Sequence, residues 1–118
     1  GYVPYTAFCA NKSYLAANPD TIQSFTNALQ KGMDYVSTHT PDEIAAAIAP
    51  QFPETDEATI SMIVSRYASQ NTWKTDLIFE KSSFELLENI LHEAGELEEF
   101  APYEDLVNTD YAEKAAGK

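Results

Sequence analysis

The chain has 118 residues, 44% of them hydrophobic, and carries seven Lys and Arg against nineteen Asp and Glu, for a net charge of −12. That length suits one domain with a modest core, and the charge argues against a nucleic-acid partner or adsorption to an anionic membrane, both of which need clustered cations. The single cysteine, Cys9, excludes an internal disulfide and a cysteine-based zinc site. No run approaches the ~18 apolar residues that span a bilayer, and the opening GYVPYTAF lacks the basic-then-apolar order of a signal peptide.

Residues 2–10 read as a strand, with Tyr5, Phe8 and Cys9 apolar or aromatic and Pro4 confining the strand's start to an edge or entry position. One strand cannot satisfy its own backbone donors and acceptors, at about 1–3 kcal/mol for each buried group left unpaired. It must therefore pair with chain outside this sequence or with a second copy, and the sequence is expected to be part of a larger protein. Cys9, on this apolar strand, is expected to be a buried small hydrophobe.

Residues 11–17 form a short helical turn that leads into the best-marked helix, residues 18–39. There Ile22, Phe25, Leu29, Met33 and Val36 recur at three- and four-residue intervals and draw one apolar stripe. Asn18 is its N-cap, Pro19 its first position, and Asp20 faces the positive helix end. Next, Thr40-Pro41-Asp42-Glu43 spells a capping box. The helix it opens runs through Ile44 and Ile48 and is stopped by Pro50 and Pro53.

Thr55-Asp56-Glu57 starts another helix, with Ile60, Ile63, Val64 and Tyr67 on its apolar face. A loop over residues 69–81 carries Trp73, Leu77, Ile78 and Phe79. Ser82-Ser83-Phe84-Glu85 reads as a further capping box, opening a helix with Phe84, Leu87, Ile90, Leu91 and Ala94 on one side. Gly95 fits the left-handed position just past its end. The tail, residues 96–118, is acidic and irregular, with Phe100, Tyr103, Leu106, Val107 and Tyr111 to dock it. The fold class is thus mainly α, about five helices plus one N-terminal strand.

Chemistry is sparse in this pattern. His39 and His92 have no second ligand at metal spacing, so no metal is expected. The carboxylates Glu93, Glu96, Glu98 and Glu99 lack the spacing of a calcium loop and read as a solvated face. No phosphate loop, nucleophile elbow or catalytic triad is present, so neither a catalytic residue nor a cofactor is expected. Tyr5 and Thr6, at the head of the only strand, offer hydroxyls where ligands meet the ends of open α/β sheets. Trp73 is a third candidate for ligand stacking, set against the plainer role of a core plug.

The order of the segments resembles a known family. VPYTAFCANKSYL and NPDTIQSFTNALQKGMDYVSTHTPDE, followed by FPETDEATISMIVSRYASQNTW and HEAGELEEFAPYEDLVNTDYAEKA, are similar to the closing third of ABC-importer solute-binding proteins. The nearest group is the aliphatic sulfonate, nitrate, taurine and thiamine-pyrimidine binding family. The resemblance implies that residues 1–118 are a single segment, the C-terminal region of a two-lobed α/β protein of the type II periplasmic-binding-protein fold. Residues 2–10 would lie near the strand returning from the second lobe, and the helices after it would clothe the first lobe. The implied partners are a small-molecule solute and an ABC permease in the membrane, with no membrane insertion by this segment. The implied location is extracytoplasmic, in the periplasm or anchored on the outer side of the cytoplasmic membrane. Two other readings stay open: a stand-alone helical interaction module that dimerises through its strand, and a pyrimidine-synthesis enzyme on the same scaffold.

Overall fold

A computed structural model describes residues 1–117; the last position of the expected tail, Lys118, lies outside the described residues. The described residues form seven α-helices: α1 (Lys12–Ala17), α2 (Pro19–Thr38), α3 (Pro41–Ile48), α4 (Glu57–Ser69), α5 (Lys81–Glu93), α6 (Tyr103–Leu106) and α7 (Asp110–Ala115). A single 3₁₀ turn, Ala49–Gln51, follows α3. The expectation of a mainly helical chain holds. The expected strand does not form: residues 2–10 carry no regular structure, and no strand occurs among the described residues. The reason is the one read from the sequence, that a strand needs a ladder partner and none of the described chain supplies one.

Contacts divide the chain into two units, one of Asn27–Leu77 and one of Gly1–Thr26 together with the chain from Ile78 onward. In the first, α3 packs on α4. Ile44, Ala45, Ile60 and Val64 form its buried core, with Val36, Ile48 and Ala49 packed at the side. Both helices start where the sequence says they should. Thr40 N donates to Glu43 Oε2 at 2.8 Å and Glu43 N donates to Thr40 Oγ1 at 3.3 Å, completing the capping box. Asp56 Oδ1 accepts from Thr59 N at 2.9 Å and caps α4. These bonds satisfy orphan donors at each helix start, and they hold both carboxyls below their ordinary range. For Glu43 the chief cause is the Thr40 backbone N–H, and for Asp56 the Thr59 hydroxyl.

The ends of α4 and α5 share one device. Asn71 takes the left-handed conformation (φ 53°), with Asn71 N donating to Ala68 O and Thr72 N to Tyr67 O. Gly95 does the same after α5 (φ 77°), with bonds to His92 O and, from Glu96 N, to Leu91 O. Each is a Schellman stop. The expected capping box at 82–85 is not formed. Instead α5 starts at Lys81, because the Glu80 carbonyl accepts from Ser83 N and Phe84 N and draws both serines into the first turn.

In the other unit, Phe79, Phe84 and Tyr103 stack edge to face, at 6.0 and 5.6 Å between successive ring centres. The tail is more regular than expected: α6 and α7 occupy it, and Ala112 of α7 is buried. Gln23 Nε2 donates to Tyr111 O at 3.0 Å and ties α7 to the first turns of α2.

The stripe expected on α2 is only half-buried, and Phe25 remains 46% exposed. The buried residue of α2 is the polar Gln30. Ile60→Ala, in the α3–α4 core, should therefore cost about 2–5 kcal/mol, whereas Phe25→Ala in this chain should cost clearly less. Urea unfolding of the two variants checks this order, and equal losses would mean that Phe25 is core.

Candidate functional site

Tyr5 and Thr6, the residues singled out at the head of the expected strand, lie in the irregular N-terminal segment. Tyr5 is 99% exposed and Thr6 is exposed. The segment is held by its flanks: Phe8 meets Phe25 edge to face at 5.1 Å, and Gly1 abuts Leu86 so closely that a Cβ would come within 2.9 Å of Cδ2. Cys9, expected to be buried, is exposed, because no sheet covers the segment. The result is a run of aromatic residues and backbone groups offered to solvent. Such a run can join another strand through main-chain hydrogen bonds.

Trp73 belongs to the other unit, in the loop opened by the Asn71 turn. It is 39% exposed and packs edge to face on Tyr67 at 5.7 Å. Behind this loop Gln30 Nε2 donates to Thr75 O and to Asp34 Oδ1, both at 2.9 Å. Gln30 Oε1 is buried without a hydrogen-bond partner. Flipping the amide would set its oxygen against two acceptors, so the orphan is a property of the site, at about 1–3 kcal/mol for a buried acceptor left unmade.

A third arrangement was not foreseen from the sequence. Along α5 and the segment 100–104 runs an open cleft of about 490 Å³. Phe84, Phe100 and Tyr103 contribute aromatic surface to its lining, and Glu88 lines it from α5. Glu88 is only 8% exposed, and its Oε1 accepts from Ala101 N at 2.8 Å. The Tyr103 hydroxyl donates to the Phe79 carbonyl, and burial pushes its pKa up. At the rim Lys81 Nζ donates to Glu104 Oε1 at 2.7 Å and lies 5.9 Å from the Tyr103 ring centre. The bond to Glu104 raises the Lys81 pKa, and the same bond lowers that of Glu104. A signal was available: Glu88 stands four residues after Phe84 and three before Leu91, on the helix's own apolar stripe.

The two histidines serve local structure. His39 stacks on Tyr35 at 3.6 Å, and His92 Nδ1 lies 2.9 Å from Leu97 O. Among the described residues no group of three or more His, Cys, Asp and Glu side chains is placed to hold a metal ion. Likewise among them, no helix is long and apolar enough to cross a membrane.

Residues 3–44 match the family model described as NMT1/THI5 like. The whole chain is 38% identical to part of the Bacillus subtilis (strain 168) protein named "Putative binding protein YtlA", and it spans 35% of that protein's length. Together these matches bear out the family resemblance drawn from the segment order. No solved structure matches the chain.

The Lys81–Glu104 pair sets a pH window. Glu104's lowered pKa means that its contribution is complete above the ordinary carboxylate range and is lost as pH falls through the folded-state value. Lys81's raised pKa means that its contribution is complete below the ordinary lysine range and is lost as pH climbs through the folded-state value. Lys81→Met should lower the urea midpoint slightly at about pH 7 and leave no difference from wild type at about pH 2. A gap that persists in acid would assign the Lys81 effect to packing instead.

Proposed function

We propose that this chain forms the C-terminal part of the substrate-binding component of an ABC importer, on a two-lobed α/β scaffold of the type II periplasmic-binding-protein kind. The observation that carries this reading is the N-terminal segment. It is apolar, lacks strand pairing and lies almost wholly within the stretch that matches the family model. On this reading the rest of the protein supplies the neighbouring strands, and Tyr5 and Thr6 then stand at a sheet end facing the cleft between lobes. Trp73 is the third ligand candidate. The work is capture, without chemistry: a small solute, anionic or bearing sulfur or nitrogen, favours the closed arrangement of the lobes and is handed to a membrane permease. Such a protein acts outside the cytoplasmic membrane, in the periplasm or tethered to the membrane's outer face by a lipid anchor.

The test uses the full natural protein, titrated calorimetrically with taurine, an alkanesulfonate, nitrate and an aminopyrimidine while product is sought by mass spectrometry. Saturable binding of one of these with no product is expected. Tyr5→Ala or Thr6→Ala should weaken that binding by about tenfold, the scale of one lost buried hydrogen bond. Conversion of the solute without any transporter would overturn the importer reading in favour of an enzyme on the same scaffold.

A further inference from the structure

Gln30 is the buried residue of α2, 6% exposed, although Leu29 and Met33 of the apolar stripe stand one residue before it and three after. An apolar side chain at that place would need no partners, whereas a buried amide must find them. Nε2 donates twice, to Asp34 Oδ1 in the same helix and to Thr75 O in the loop, each at 2.9 Å. Oε1 is enclosed and accepts nothing. The amide therefore works as a donor only, and its bond to Thr75 O is the one that joins α2 to distant chain. The loop so held carries Trp73. Its near end is fixed on α4 by the bonds from Asn71 N to Ala68 O and from Thr72 N to Tyr67 O, and its far end by Gln30. Between these two fixed points Trp73 lies edge to face on Tyr67 with 39% of its surface in solvent. A core plug would be covered, but this indole is held and left open. A ring already fixed in one pose meets a ligand without paying for its own ordering.

We propose that Gln30 is the positioning residue for Trp73: by donating to Thr75 O it fixes the loop, so that the indole is presented to the solute in a single pose. Gln30 itself touches no solute and acts through the backbone two residues beyond the ring. The proposal rests on the importer reading for the role of Trp73 as a solute contact; the fixing of the loop by Gln30 does not.

The test labels the full natural protein with 5-fluorotryptophan and follows the fluorine NMR line of Trp73, identified by its loss in Trp73→Phe. Gln30→Met keeps the volume and the helix but removes both donors, and should shift or broaden that line. Gln30→Lys keeps donors for Thr75 O and Asp34 and brings no acceptor to bury, with the Asp34 carboxylate beside its charge, and should leave the line near its wild-type position. A line unmoved in Gln30→Met, or moved equally by Met and Lys, would overturn the proposal. Taurine, an alkanesulfonate, nitrate and an aminopyrimidine are then titrated into the same variants. For a solute that binds, Trp73→Ala should weaken binding by about fivefold or more and Gln30→Met by about threefold or more. The double variant should bind within about twofold of Trp73→Ala alone, because Gln30 acts through the ring. Losses that add, or a solute bound equally by wild type and Gln30→Met, would overturn the proposal and leave the importer reading standing. The expected fluorine response with none of the four solutes bound would sink the importer reading and uphold the fixing of Trp73 by Gln30.

Discussion

In the unit Asn27–Leu77, Ile44 and Ala45 of α3 meet Ile60 and Val64 of α4, and the existence of both helices depends on that contact. A helix of eight residues such as α3 is far below the length at which isolated helices persist in water. The Thr40–Glu43 box and the Asp56 cap fix where the helices begin, and apolar burial supplies the free energy to keep them. The other unit is built differently. There α5 carries one buried apolar residue, Phe84, and one buried charge, Glu88; aromatic edges and the bond from Ala101 N to Glu88 hold the segment 100–104 against it, and the Tyr103 hydroxyl ties the same segment to the Phe79 carbonyl just before the helix. The Lys81–Glu104 pair at the rim makes this contact depend on pH in a way that a purely aliphatic contact does not.

What was legible in the sequence was local. Thr40, Asp56 and Gly95 announce helix ends because each acts on backbone groups within four residues, and no distant partner can alter that. The Ser82–Glu85 motif failed for a related reason. A capping box needs its serine outside the helix, and the Glu80 carbonyl had already begun the turn. Asn71 was missed because asparagine takes the left-handed position less often than glycine does. Its backbone bonds nevertheless repeat those at Gly95.

Face assignments were less legible, since they depend on what a helix packs against. Counting apolar residues placed Phe25 and Ile90 inward, yet 46% and 47% of their surfaces are exposed. Gln30 and Glu88, which a count of apolar residues passes over, are the buried polar and charged residues of α2 and α5, and for Glu88 only its place on the apolar stripe gave a signal. Both sit where a loop crosses the helix and its backbone needs a partner, Thr75 O for Gln30 and Ala101 N for Glu88. Backbone in an irregular loop has no ladder to satisfy it, so a polar side chain on the helix beneath does so. The site candidates follow the same logic. Tyr5 and Thr6 were chosen from the order of elements, whereas the Glu88 cleft exists only once the tail has folded back.

The N-terminal segment poses the remaining physical problem. In an extended conformation its side chains would alternate, with Tyr2, Pro4, Thr6 and Phe8 on one side and Val3, Tyr5, Ala7 and Cys9 on the other. Both sets are largely apolar. A strand of a sheet wet on one face shows one apolar and one polar set, whereas a strand covered on both faces reads as apolar throughout, which is the pattern of α/β sheets. Phe8 already touches Phe25, a contact that begins the cover on one side, while Tyr5 is left in solvent at 99% exposure. Pro4 removes one backbone donor, so a pairing neighbour must leave that position unbonded, as strand entries do. A segment with this pattern is therefore suited to a sheet covered on both faces, and among the described residues no strand is there to pair with it.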